Sequence, residues 1–186
     1  MRVRRAVAIL LSGLSVLTFI GCQSRTGRTL CTQTSAVWSE RSTPELIKAL
    51  HRYSRWADSD IAPDDPDYRF KMDYYAVHDL LQQRRQERGV LGGFMDLLRR
   101  TDSDTVGRDM VRSIAGYYDI GVDVTDQLAA VHNDPRTSSA VRHEILDTFR
   151  ELGIKSTAVA WRIVDSRRTD PKSVVEQQYM RFLETE

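Results

Sequence analysis

From Ser42 onward, apolar residues recur at intervals of three and four, the period of one helical face and not the alternation of a strand. Ser42-Thr43-Pro44-Glu45 marks the first start. Either Ser42 caps and Glu45 closes a capping box, or Thr43 caps ahead of Pro44. Leu46, Leu50, Tyr53 and Ala57 share a face, with Trp56 beside them, which predicts a helix of about 14 residues. A second helix over 70–88 turns Met72, Tyr75, Ala76, Leu80 and Leu81 inward. Gly89 and the Gly92-Gly93 pair interrupt helical propensity before Phe94, Leu97 and Leu98 resume it. Val106, Met110, Val111, Ile114, Ala115 and Tyr118 give another face, and Gly121 separates it from Val124, Leu128 and Val131. That segment stops at His132-Asn133-Asp134-Pro135. Over 139–152, Ser138 or Ser139 caps, Val141, Ile145, Phe149 and Leu152 line one side, and Gly153 supplies a left-handed end. Thr157 to Val164 suits a short helix or a strand; helix is preferred because no other segment offers a strand partner. Asp170-Pro171 opens a last helix to about Leu183, with Val174, Val175, Gln178, Tyr179 and Phe182 facing in.

The fold class is therefore all-α, with 42–186 forming a single domain. Its architecture is either a compact amphipathic bundle or a small helical stack. Val106, Met110, Val111 and Ile114 align with Val141, Ile145, Leu146 and Phe149 at a spacing of 35, and Asp109 matches Glu144 in charge. Over about 90–153 this echo resembles the helical-pair repeats of HEAT proteins, in which neighbouring pairs bury a shared core. The helix at 70–88 does not join the alignment.

The chain opens differently. Arg2, Arg4 and Arg5 precede an apolar run from Ala6 to Ile20, and small Gly21 stands before Cys22. This order of basic, apolar and small residues is that of a secretory signal. The run is short for a full membrane span, and Ser12, Gly13, Ser15 and Thr18 weaken that reading further. Phe19-Ile20-Gly21-Cys22 resembles the lipobox of bacterial lipoproteins, although that family usually has Leu where Phe19 stands. A conventional signal cut nearby and an uncleaved anchor are the alternatives to a lipoprotein signal. The resemblance implies cleavage between Gly21 and Cys22 and diacylglycerol transfer to the Cys22 thiol. Two or three acyl chains would anchor the domain far better than one. Gln23 in place of Asp leans by the same resemblance toward the outer membrane, facing the periplasm. Residues 22–41 then form a polar tether, from which Trp38 either returns to the domain or lies near the membrane interface. Lipidation would leave Cys31 as an odd thiol, either free or paired between chains.

Composition sets outer limits. Of 186 residues, 41% are hydrophobic and 28% charged, which excludes collagen-like, Pro-rich and polytopic membrane classes. The net charge of +1 hides the basic start, since everything from Cys22 onward is net acidic. Interspersed acids and the export signal argue against a nucleic-acid partner.

Candidate chemistry is sparse. His143-Glu144 with Asp147 begins like a zinc-protease helix but lacks the second histidine, so no metal site is assigned. The acidic stretch DSDIAPDDPD offers carboxylates that would suit calcium, yet lacks the positions of an EF-hand loop and reads as a turn. His78 and Asp79 adjoin Tyr74-Tyr75, where Tyr75 is expected to pack and Tyr74 to face solvent. No serine-hydrolase elbow, phosphate loop or Cys-x-x-Cys occurs. No catalytic residue and no cofactor are assigned. Arg84, Arg85, Arg88, Arg99 and Arg100 stand against only Glu87 and Asp96 and form the candidate partner-binding patch.

The expectation is a non-catalytic envelope lipoprotein, held to the membrane through its N-terminal lipid and acting in an envelope protein complex. The alternatives are a lipid- or small-ligand-binding lipoprotein, with a pocket lined by Trp56, Tyr75, Phe94 or Trp161, and a lipid-anchored hydrolase.

Overall fold

The computed structural model describes residues 36–166 and 173–185, so Gly21, Cys22, Cys31 and the Asp170-Pro171 start lie outside the described residues. The fold is all-α, with no strand among the described residues. After a helical turn at 36–39, the helices are α1 (Thr43–Tyr53), α2 (Tyr68–Gln83), α3 (Val90–Arg100) and α4 (Asp104–Ala115). They continue as α5 (Thr125–Asn133), α6 (Ser139–Glu151), α7 (Thr157–Ser166) and α8 (Val174–Glu184). Short 3-10 turns, Ser54–Trp56 and Tyr118–Ile120, extend α1 and follow α4.

Local signals place most of these ends. Glu45 Oε2 accepts from the Ser42 amide (2.9 Å) and hydroxyl (2.7 Å), so Ser42 is the residue that starts α1. Ser103, Ser138 and Ser173 cap α4, α6 and α8 by accepting from an amide three residues ahead. Gly153 takes φ 71° after α6, the left-handed backbone that only glycine adopts without strain.

The helices pack in a regular order. α1 lies on α2 and α3, α3 on α4, α4 on α6, α6 on α5 and α8, and α5 on α7. Contact between α2 and α4 is carried by side chains, Tyr74 reaching Asp109 and His78 reaching Ser113. Both pairs are 35 residues apart, as is Trp38 from Asp73. All eight apolar positions that align between α4 and α6 are buried. One core runs through the helices from Leu46 and Leu50 to Tyr179.

Several expectations need correction. α2 ends at Gln83 and not at 88, leaving Arg84 to Arg88 in turns. Tyr74, expected to face solvent, is fully buried, while Tyr75 is half-buried. The reason is that α2 is covered both by α1 and by α4, so a one-face rule undercounts its inward positions. Gly92 and Gly93 do not interrupt a helix; they lie inside α3. A Cβ on Gly93 would stand 2.9 Å from Ile47 Cγ2, so the bare backbone is what lets α1 and α3 approach. Leu152 is 37% exposed because the chain reverses at Gly153 and Ile154 takes the inward place, its amide bonding Phe149 O at 2.7 Å. Val174, expected to face in, is 68% exposed.

Candidate functional site

The five nominated arginines are engaged differently. Arg84 follows α2 and binds the entering chain, donating to Arg41 O at 2.7 Å and Ser39 O at 2.6 Å. Arg85 donates to Gly116 O at 3.2 Å and lies 3.8 Å from Asp119 Oδ2. These two guanidiniums tie the turn after α2 to two other segments. Arg88 is exposed just before α3, while Arg99 and Arg100 are exposed at the end of that helix. At 1.5 Å per residue, the two ends of α3 are separated by roughly 15 Å. Arg100 pairs with Asp96 at 2.9 Å.

The most chemically suggestive constellation lies between α2 and α4. His78 Nε2 is 2.7 Å from Ser113 Oγ, and Asp79 Oδ1 is 3.7 Å from His78 Nδ1. In outline this is a serine, histidine and acid arrangement. Its hydrogen-bond directions are wrong for nucleophilic work. Ser113 is 1% exposed and donates its proton to Asp109 O, one turn back, at 2.8 Å. His78 and Gln82 then act as donors toward Oγ, so the imidazole is not poised to remove that proton. Ser113 lies mid-helix, and its own amide is engaged in the ladder of α4 and does not face an oxyanion.

The same contact holds two further groups shifted by burial. Desolvation raises the Asp109 carboxyl, opposed by the charge of His78 and by Arg112. Tyr74 donates to Asp109 Oδ2 at 3.4 Å, and burial pushes its phenol up, assisted by the negative charge of Asp109. These groups fasten two helices with satisfied polar contacts. Elsewhere, the buried Tyr117 hydroxyl lacks a partner among the described residues, and desolvation pushes it up to about 12. Among the described residues, no group of three or more His, Cys, Asp or Glu side chains is placed to hold a metal ion. Within the acidic loop, Asp65 Oδ1 accepts from the Asp67 amide at 2.8 Å, the bond of a self-capped turn.

Two surface features remain. An open cleft of about 540 Å³ lies where the end of α1 meets the start of α2, lined by His51, Arg52, Tyr53, Arg55, Trp56 and Phe70. Tyr53 stacks on Phe70 with centroids 5.8 Å apart, and Trp56 is 5.4 Å from Phe70. Arg55 lies over the Trp56 ring at 5.4 Å and Arg69 over Phe70 at 4.7 Å. A second open cleft of about 550 Å³ between α6 and α8 is mixed in charge, with Arg150 bonded to Asp147 and Gln178, both at 2.9 Å. At the far end of the helical order, Trp161 on α7 is 70% exposed, with Val164 on the same side at 37%. Of the four residues nominated to line a pocket, only Trp56 lines either cleft; Phe94 is in the core and Trp161 points outward.

Periodicity puts Tyr53 on the inward face of the first helix and nominates Trp56 for a pocket. It pairs Trp56 with Tyr75, Phe94 and Trp161, however, where the structure pairs it with Tyr53 and Phe70. The available signal was the repeated Arg-aromatic step, Arg55-Trp56 and Arg69-Phe70, on either side of an acidic turn.

Compared with known proteins, the chain matches no family model, no curated protein and no solved structure.

Proposed function

We propose that the protein is a bacterial lipoprotein, acylated at Cys22 and held at the outer membrane facing the periplasm. Its helical domain acts as a non-catalytic interaction, assembly or accessory factor in an envelope complex. The 35-residue relation between successive contacts supports reading the domain as a HEAT-like stack, a scaffold that offers rigid helix faces to partners.

Trp161 carries this reading. Val159 and Ile163 anchor α7 in the core at 0% and 1% exposure, while Trp161 on the other side is 70% exposed. A large indole held outward by a fixed helix is the residue type that dominates protein interfaces. The convergent polar groups between α2 and α4, by contrast, are engaged with one another.

A photo-crosslinking phenylalanine analogue at position 161, in native cells, tests the contact. One envelope protein is expected to be captured there and not from a control at exposed Gln127. Equal capture from both positions would remove α7 as the contact surface. Labelling with a clickable fatty acid tests the anchor: wild type should be labelled and Cys22→Ala should not. An unlabelled wild type overturns the anchor.

A further inference from the structure

A row of aromatic rings leads from the chain's entry into the domain to the cleft beside α1. Trp38 donates its indole N–H to Asp73 Oδ1 at 2.7 Å and meets Tyr53 edge-on at 5.9 Å. Tyr53 stacks on Phe70, and Phe70 adjoins Trp56. We infer that this cleft is a docking face for an anionic phospholipid surface, so that the domain rests on its membrane by the edge from which the tether leaves.

The inference rests on the anchor reading for its location and on the cleft's own chemistry for its ligand. Residues 23–35 separate Cys22 from the described chain, a reach of at most about 45 Å. The edge carrying Trp38 is where the tether joins the domain, and that reach lets the neighbouring cleft meet the bilayer. Tyr53, Trp56 and Phe70 are half-buried, each leaving part of its ring open. The amphipathic rings of Tyr53 and Trp56 are of the kind that settles at the level of lipid headgroups, with the apolar ring of Phe70 between them.

Arg52, Arg55 and Arg69 are exposed around these rings, and none has a carboxylate within 4.0 Å among the described residues. Arg41, Arg85, Arg100, Arg112, Arg136 and Arg150 each have one. The acidic loop between α1 and α2 is a neighbour of opposite preference, but it contributes no lining residue. Of its five carboxylates, Asp58, Asp60, Asp64, Asp65 and Asp67, none lines the cleft. Each basic side chain near an anionic membrane is worth about fivefold in partition.

The test uses the full lipidated chain carrying Trp38→Phe and Trp161→Phe, reconstituted into vesicles with brominated acyl chains. Trp56 emission should be quenched in vesicles containing phosphatidylglycerol and much less in phosphatidylcholine alone. Arg52→Glu with Arg55→Glu should remove the difference. Arg52→Lys with Arg55→Lys should keep it, because headgroups attract a point charge. Circular dichroism of both pairs separates lost docking from lost folding. Equal emission in both lipids overturns the inference. So does displacement by soluble polyglutamate at the same ionic strength, which would assign the cleft to an acidic protein. Mass spectrometry of the purified chain reports acylation separately. An unlipidated Cys22 fails the anchor reading, while the Trp56 comparison with added vesicles still decides the face.

Discussion

His78 Nε2 and Ser113 Oγ meet at 2.7 Å across the α2–α4 contact, with the imidazole as donor because the hydroxyl proton is engaged by Asp109 O. The pair is a fastening between neighbouring helices. Its removal should therefore appear in stability. Ser113→Ala leaves His78 and Gln82 without their shared acceptor and should cost about 1–3 kcal/mol, read as a lower urea midpoint. A change below about 0.5 kcal/mol would mean that water already satisfies these groups.

Two helical glycines should respond to the same substitution with opposite signs. A Cβ on Gly107 would collide with Val141 Cγ2, and Val141 is β-branched, with little freedom to rotate on a helix. Gly107→Ala should destabilise by about 1–3 kcal/mol net of improved propensity. At Gly92 nothing lies within 4 Å, so Gly92→Ala should stabilise by about 0.5–1 kcal/mol. Melting temperatures of the two variants, moving apart from wild type, would verify the close α4–α6 approach.

His132 should give the domain a pH-sensitive side. It is 2% exposed, its Nδ1 is 2.9 Å from Asn133 Oδ1, and its Nε2 has no partner among the described residues. Burial lowers its pKa, with Arg142 and Arg162 adding to the effect and Glu176 and the Asn133 bond opposing it. The unfolded chain thus binds this proton more readily. The stabilisation is fully present above the ordinary histidine range near 6.5 and is lost as pH falls through it. Asp73 and Asp109, raised by burial, act in the opposite direction at lower pH. Urea midpoints from pH 8 to 5 should fall for wild type and flatten across the histidine range in His132→Gln. Parallel curves would contradict the assignment.

Arg84 should behave as a clamp on the entering chain. Losing its bonds to Ser39 and Arg41 should speed hydrogen exchange across 36–41 in Arg84→Ala, with α6 unaffected. Arg88→Ala, lacking such bonds, should leave that exchange unchanged. If both variants behave alike, the two arginines share a surface role after all.

Sequence periodicity located most helices and many core positions. Leu46 and Leu50, or Val141, Ile145 and Phe149, are buried where spacing placed them, because α1 and α6 have a dominant inward face. It failed where a helix is covered on two sides, as at Tyr74. It failed again where packing outweighs propensity, as at Gly93. The arginine cluster shows the limit for sites. Adjacent positive charges are visible in sequence, but the carbonyls that engage Arg84 and Arg85 come from residues 31 to 45 positions away.

By itself the sequence determined the all-α class, helix starts at Ser42-Thr43 and at Ser138-Ser139, and the glycine reversal at Gly153, since each depends on neighbours within one helical turn. The hydrogen bonds of the fold then chose Ser42 and Ser138 as the caps. Tertiary structure decided which polar groups are engaged and which remain available. That choice depends on donors and acceptors brought together from distant segments, so Ser113 became a buried link while Tyr53, Trp56 and Phe70 became an open cleft. Local spacing constrains a helix's faces; only packing against other helices settles what each face meets.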